Sequence, residues 1–150
     1  MGRARTSIET AGRLTDAEAL WYDTSRWASF VDGLGHVVQA DPGWPREGTV
    51  LWDSRPGGRG RVFERVSRYT AGDGQDVEVE DEKLTGTQSV RFAPAGEDRV
   101  AVSLELRYEL KRDDPLAPIV DALFIRRAIR DSLSRTLRRF AIELAADRSL

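Results

Sequence analysis

The chain has 150 residues, 40% of them apolar and 32% charged, with a formal net charge of −2, one histidine and no cysteine. That length fits a single domain over residues 1–150, and a globule of this size buries about 68–70% of its unfolded surface, enough for one real core. The composition excludes disulfides, thiolate nucleophiles and cysteine-ligated metals, gives no overall pull toward nucleic acid or anionic membrane, and contains no apolar run near the roughly 20 residues a membrane span requires.

The first segment, "RTSIETAGRL", is β-compatible and closes on Gly12, which predicts a strand over residues 4–12. The basic stretch before it lacks an apolar core, so no secretory signal is expected and the cytoplasm is the expected location. Arginine carries nearly all the positive charge, a bias that points to a bacterial source. In "LTDAEALWYDTS", Thr15 and Glu18 have the spacing of a capping box and predict a helix over residues 16–23. Ser25 stands where it would cap a second helix over "RWASFVDG", ended by Gly33 or Gly35.

From His36 to Leu110 the pattern changes to short β-type runs. These are "HVVQAD", "TVLWDS", "RVFERVSRYTA", "DVEVEDEKL", "SVRFAP" and "RVAVSLELRYEL", with turn clusters such as "PGWPREG", "RPGGRG" and "TGTQ" between them. Connections of hairpin length predict an antiparallel meander. The last run is the clearest: Val100, Val102, Leu104, Leu106, Tyr108 and Leu110 alternate with smaller or charged residues, which gives one buried face and one wet face. Asp114 before Pro115 then marks a helix start. Residues 119–150 hold neither Gly nor Pro, and apolar positions 119, 122/123, 125, 129, 133, 137, 140 and 144 repeat at helical spacing. They predict an amphipathic helix of about 28 residues, roughly 42 Å long.

A strand, two short helices, six antiparallel strands and one long helix make an α+β chain. The simplest burial solution wraps the seven-stranded curved sheet around the C-terminal helix and leaves a gap between them. This order, carried by "DTSRWASFVDGL", "GRGRVFERVSRY", "VSLELRYEL" and the final helix, resembles the helix-grip fold of the START/Bet v 1-like (SRPBCC) superfamily, in particular its bacterial polyketide cyclase/dehydrase-like and lipid-transport branch. The resemblance covers about residues 4–147. It implies a cavity that holds an apolar or aromatic ligand, and no catalytic signature that can be carried over.

On that frame the expected ligand contacts include the aromatics Trp27, Phe30, Trp52, Phe63, Phe92 and Tyr108. The apolar Val79, Leu104, Ile129 and Leu133 join them, with Arg126 and Arg130 beside the helix stripe to fix a carboxylate or phenolate. Trp27 and Phe30 are read as a gate at the cavity entrance, Trp21 as packing, and Trp44 as folding over the mouth or into a dimer contact. Asp81 shares the parity of Val77 and Val79, which turns it to the cavity if the strand keeps its register; the favoured reading places it instead at the strand end, where the pleat fails. By the opposite parity Glu78, Glu80 and Glu82 belong to a solvated face.

His36 is read as a strand-end surface residue, and "RPGGRG" as a hairpin tip, because a phosphate loop would end in Gly-Lys-Ser/Thr and open a helix. Three functions follow: carriage of a hydrophobic small molecule, a cyclase, aromatase or dehydratase-type enzyme in the same cavity, or an interaction module using the basic helix. No metal or organic cofactor is expected. Nor is nucleic-acid binding or stable membrane insertion; a homodimer is left open.

Overall fold

The computed structural model describes residues 1–111 and 119–148. In chain order the elements are β1 (Gly2–Ala11), α1 (Leu14–Tyr22), a 3₁₀ turn (Thr24–Arg26), α2 (Trp27–Phe30), β2 (Leu34–Ala40), β3 (Thr49–Ser54), β4 (Arg61–Thr70), β5 (Gly74–Glu80), β6 (Leu84–Pro94), β7 (Arg99–Leu110) and α3 (Ile119–Arg148). The seven strands form one curved antiparallel sheet in the order β1-β7-β6-β5-β4-β3-β2. Every hairpin pairs with its neighbour, and β1 closes the far edge against β7, with Gly2 opposite Tyr108 and Ala11 opposite Arg99. The expected helix-grip architecture is therefore the one observed. The expected helix start at Asp114–Pro115 lies outside the described residues.

Period-two alternation decides which face is buried. Val100, Val102, Leu104, Leu106 and Tyr108 of β7 turn inward, as do Val77 and Val79 of β5, Val62 of β4 and Val50 and Trp52 of β3. Helical periodicity does the same for α3, whose Leu133, Leu137, Phe140 and Leu144 are buried against β1, α1 and α2. Among the described residues no helix is long and apolar enough to cross a membrane.

Three local expectations are corrected. Thr15 and Glu18 form no capping box: α1 starts two residues earlier, with Arg13 at its N-cap and no side-chain cap, and Glu18 accepts a hydrogen bond from the Gly72 amide at 2.9 Å. Ser25 does not cap α2. It donates to Asp23 (Oγ to Oδ1, 2.6 Å), and Asp23 caps the 3₁₀ turn by accepting from the Ser25 amide at 3.1 Å. The acid wins because its oxygens stand two residues before the amide that needs a partner, the Asx-turn spacing. Finally "TGTQ" is no turn. It begins β6, where Gly86 lies opposite Tyr108 and a Cβ would collide with the Arg107 carbonyl. A glycine inside a strand marks such a close approach as often as it marks a break.

Candidate ligand-binding cavity

The sheet curves away from the first half of α3 and leaves a cavity of about 660 Å³. Leu84, Leu106, Leu110, Phe124, Ile125, Ala128, Ile129 and Leu133 form its apolar lining, with Lys83, Lys111 and Glu82 around it. Arg59, Gln88, Ser132 and Leu133 belong both to this cavity and to a narrower inner chamber of about 50 Å³. The chamber walls are Trp21, Trp27, Trp44, Trp52, Val77, Val79, Val90 and Leu104, and the polar groups on it include Asp32, Glu64, Gln75 and Thr136. An apolar bowl thus narrows to a small polar end. The larger volume lies within the 300–1,000 Å³ of small-molecule sites, and the smaller one admits a group the size of one or a few waters.

Arg59 reaches this site because "RPGGRG" is, as expected, the hairpin tip between β3 and β4. Gly60, with φ +80°, takes a left-handed conformation that L side chains rarely adopt, and its amide donates to Ser54 Oγ at 2.9 Å. The Arg59 guanidinium donates from Nε to Asp81 Oδ2 at 2.6 Å and lies 5.5 Å from the Trp52 ring centroid, a cation–π distance. Asp81 is buried and keeps the inward parity. Its second oxygen accepts from the Lys83 and Leu84 amides at 2.7 and 2.9 Å, so it holds the β5–β6 turn and aims Arg59. Arg59 Nη2 is buried with no hydrogen-bond partner.

Glu64, only 7% exposed, stands on β4 and accepts from Trp52 Nε1 at 2.6 Å. Burial pushes its carboxyl above the usual carboxylate range, against the Trp52 hydrogen bond and the Arg59 charge, which pull it down. Asp32 behaves in the opposite way. Burial alone would raise it, but hydrogen bonds from Arg135 and Ser132, with the Arg135 and Arg139 charges, hold it below the usual range.

At the closed end, Trp44 donates from Nε1 to the Tyr22 carbonyl at 3.0 Å and packs edge-on against Trp27 at 5.6 Å. Trp44, half-buried, thus takes a place in the chamber wall. Trp27 in turn donates to the Trp21 carbonyl at 2.8 Å. Trp21, Phe30 and Phe140 form a mutual ring cluster with centroids 5.4–5.6 Å apart.

Of the residues expected from sequence, Trp27, Trp52, Val79, Leu104 and Leu133 stand on the inner chamber, and Ile129 and Leu133 on the outer cavity. The others stand elsewhere. Phe30 is fully buried in the ring cluster and lines neither space, whereas Trp21, expected as packing, lines the chamber. Trp27 and Phe30, read as a gate, are only 4% and 0% exposed, packed among the rings at this end. Phe92 is buried edge-on against Tyr22 at 6.1 Å. Phe63 is 40% exposed on the convex face, since Val62 and Glu64 take the inward parity of β4. Tyr108 is buried, but with Arg126 it borders a separate groove beside Gly2 and Arg3. Arg126 and Arg130 are exposed on the β1 side of α3, away from the cavity.

His36 lies at the surface, 3.6 Å from Asp53, and Glu78 and Glu80 pair with Arg65 and Lys111 on the solvated face. Sequence reading missed Arg59 and Glu64. The signal for Glu64 was present: in "RVFERV" it is the lone acid at the parity of two valines. Arg59 left no comparable signal.

The sequence matches a family model over residues 1–145, that of polyketide cyclase / dehydrase and lipid transport. In three dimensions the chain is similar to a START superfamily protein from Mycobacterium smegmatis, with TM-score 0.78 and 11% identity over 96% of this chain and 97% of that one. It is also similar to StfQ, the di-domain ARO/CYC of the steffimycin biosynthetic pathway, with TM-score 0.79 and 14% identity over 99% of this chain and 52% of that one. A truncated norcoclaurine synthase from Thalictrum flavum aligns with TM-score 0.69 and 10% identity, covering 93% of this chain and 91% of that one. At such identities the likeness is one of fold. No curated protein sequence matches.

Proposed function

The chain belongs to the polyketide cyclase/dehydrase and lipid transport family, and from that premise we propose that it binds one small, mainly apolar molecule between sheet and α3. The observation that carries this reading is the apolar cavity of about 660 Å³ narrowing to a polar chamber. Affinity comes mainly from apolar area removed from water, about 25 cal/mol per Å², and orientation from the inner polar groups.

Four tryptophans line the chamber, so energy transfer from tryptophan to N-phenyl-1-naphthylamine, a neutral apolar fluorophore, reads occupancy directly. A saturable one-to-one titration is expected. Ile129→Glu should weaken it about tenfold or more, because a charge desolvated in an apolar wall costs well over the 1.4 kcal/mol that a tenfold change represents. A flat titration would overturn the proposal.

A cyclase- or dehydratase-type enzyme using the same cavity is the second reading. Glu64 favours it, as a carboxyl on the chamber that burial pushes above its usual range, the direction a general acid needs. StfQ and norcoclaurine synthase, by their names an aromatase/cyclase and a synthase, have similar folds. Loss of turnover in Glu64→Gln with ligand affinity retained would support the enzyme; the carrier reading predicts no turnover in either protein.

A further inference from the structure

Resting on the binding reading above, we propose that the inner chamber selects ligands carrying a carbonyl oxygen at the end of an apolar body, with Arg59 and Glu64 as the two hydrogen-bond donors. The inference follows from counting which polar groups on the chamber are already spent. Trp52 Nε1 is given to Glu64, and Gln75 Nε2 to the Pro45 carbonyl at 2.8 Å. Asp32 is engaged by Ser132, Arg135 and Arg139, and Thr136 Oγ1 accepts from the Asp32 amide at 2.9 Å.

Arg59 is only half spent. Asp81 takes its Nε, while Nη2 is buried without an acceptor. A buried donor with no partner is costly, and an incoming acceptor removes that cost. Glu64 is a second group with capacity left; the half-buried Gln88 amide and the Thr136 hydroxyl proton also lie on the chamber, and the Glu64 variants below separate it from them. The one hydrogen bond of Glu64 is received from Trp52, and burial favours its neutral form. A neutral carboxyl has an O–H to donate.

Two donors sharing one small space fit an oxygen with two lone pairs. An amine would bring donors to donors and a positive charge to Arg59. A carboxylate would give up its hydration among tryptophans and valines, where the Arg59 charge is already answered by Asp81. The apolar bowl fixes the rest of the ligand: a ring or chain lying along Leu84, Leu106 and Ile129 with its oxygen inward.

Matched naphthalenes test this on the whole protein: 2-ethylnaphthalene, 2-acetylnaphthalene, 2-naphthoate and 1-(2-naphthyl)ethylamine, titrated by tryptophan quenching. The ketone should bind about tenfold tighter than the hydrocarbon, the lower end of what a charge-assisted hydrogen bond contributes. Arg59→Met and Glu64→Leu should each bring that ratio to about one. Glu64→Gln should keep it, since its amide can accept from Trp52 through oxygen and still donate through nitrogen.

The charged groups around Glu64 are Arg59, Asp81 behind it and Asp32 across the chamber. Asp32 is already ionised at neutral pH, so wild-type ketone affinity should fall with rising pH as Glu64 ionises, while Glu64→Gln stays flat. Phe63→Ser, on the convex face, should leave the ratio unchanged, and thermal melts identify any variant that fails to fold.

Equal affinity for ketone and hydrocarbon would overturn the inference and leave apolar binding intact, whereas no binding of any naphthalene would overturn the function beneath it. Preference for the carboxylate or the amine, or Glu64→Gln behaving like Glu64→Leu, would also overturn the inference.

Discussion

The C-terminal half of α3 puts Leu133, Leu137, Phe140 and Leu144 into the core, whereas the N-terminal half leaves Leu123 54% and Phe124 71% exposed and holds Ile125 and Ile129 half-buried over the cavity. The two halves are also tied differently. Toward the C-terminus, Asp32 binds Ser132, Arg135 and Arg139, and Arg26 reaches Glu143 and Asp147 at 2.9 and 3.0 Å. No ion pair joins the described residues 122–130 to the sheet. One helix thus serves as core pillar at one end and as cavity wall at the other. A wall not filled by its own side chains is what a ligand site requires.

The sharpest way to break this division is to remove packing from the pillar. Phe140→Ala deletes a fully buried ring that contacts both Trp21 and Phe30. It should cost about 3–5 kcal/mol in chemical denaturation, as large-to-small core changes at phenylalanine do. A cost below about 1 kcal/mol would mean that the pillar is not where stability resides.

Asp32→Ala should have the next largest effect. Its charged partners are partly solvated, so a loss of about 1–2 kcal/mol is expected at neutral pH. The carboxyl is held below its unfolded value, so its stabilisation is complete above that value and lost as pH falls through the folded one. The difference between wild type and variant should therefore shrink below about pH 4. A pH-independent difference would show that the ion pairs contribute nothing.

The smallest stability effect is expected at the wall. Phe124→Ser should change unfolding free energy by no more than about 0.5 kcal/mol, as exposed positions do. It should nevertheless weaken apolar probe binding several-fold. If it destabilised the protein as Phe140→Ala does, the distinction between pillar and wall would fail.

Most of the fold was legible because it rests on periodicities that act locally. The alternation in "RVAVSLELRYEL" sets the inward face of β7, and the spacing from Ile125 to Leu144 sets the stripe of α3. The cavity wall was legible only in part. Hydrophobicity points to Phe63 and parity to Glu64, and in a strand parity decides which way a side chain points. Trp21 and Phe30 exchanged roles because α2 is one turn long, too short for helical spacing to say which ring meets the chamber and which meets Phe140.

The chain by itself determined the element order, the buried faces and the absence of cysteine chemistry, since each depends on residues close in sequence. Tertiary structure alone decided that Arg59 leaves a flexible-looking tip to pair with Asp81 twenty-two residues on, and that Trp52 meets Glu64 inside the sheet. The curvature of the sheet away from the first half of α3 also opens the cavity there, while the rings of Trp21, Phe30 and Phe140 fill the other end. Those are long-range contacts between single side chains, and no local pattern encodes them.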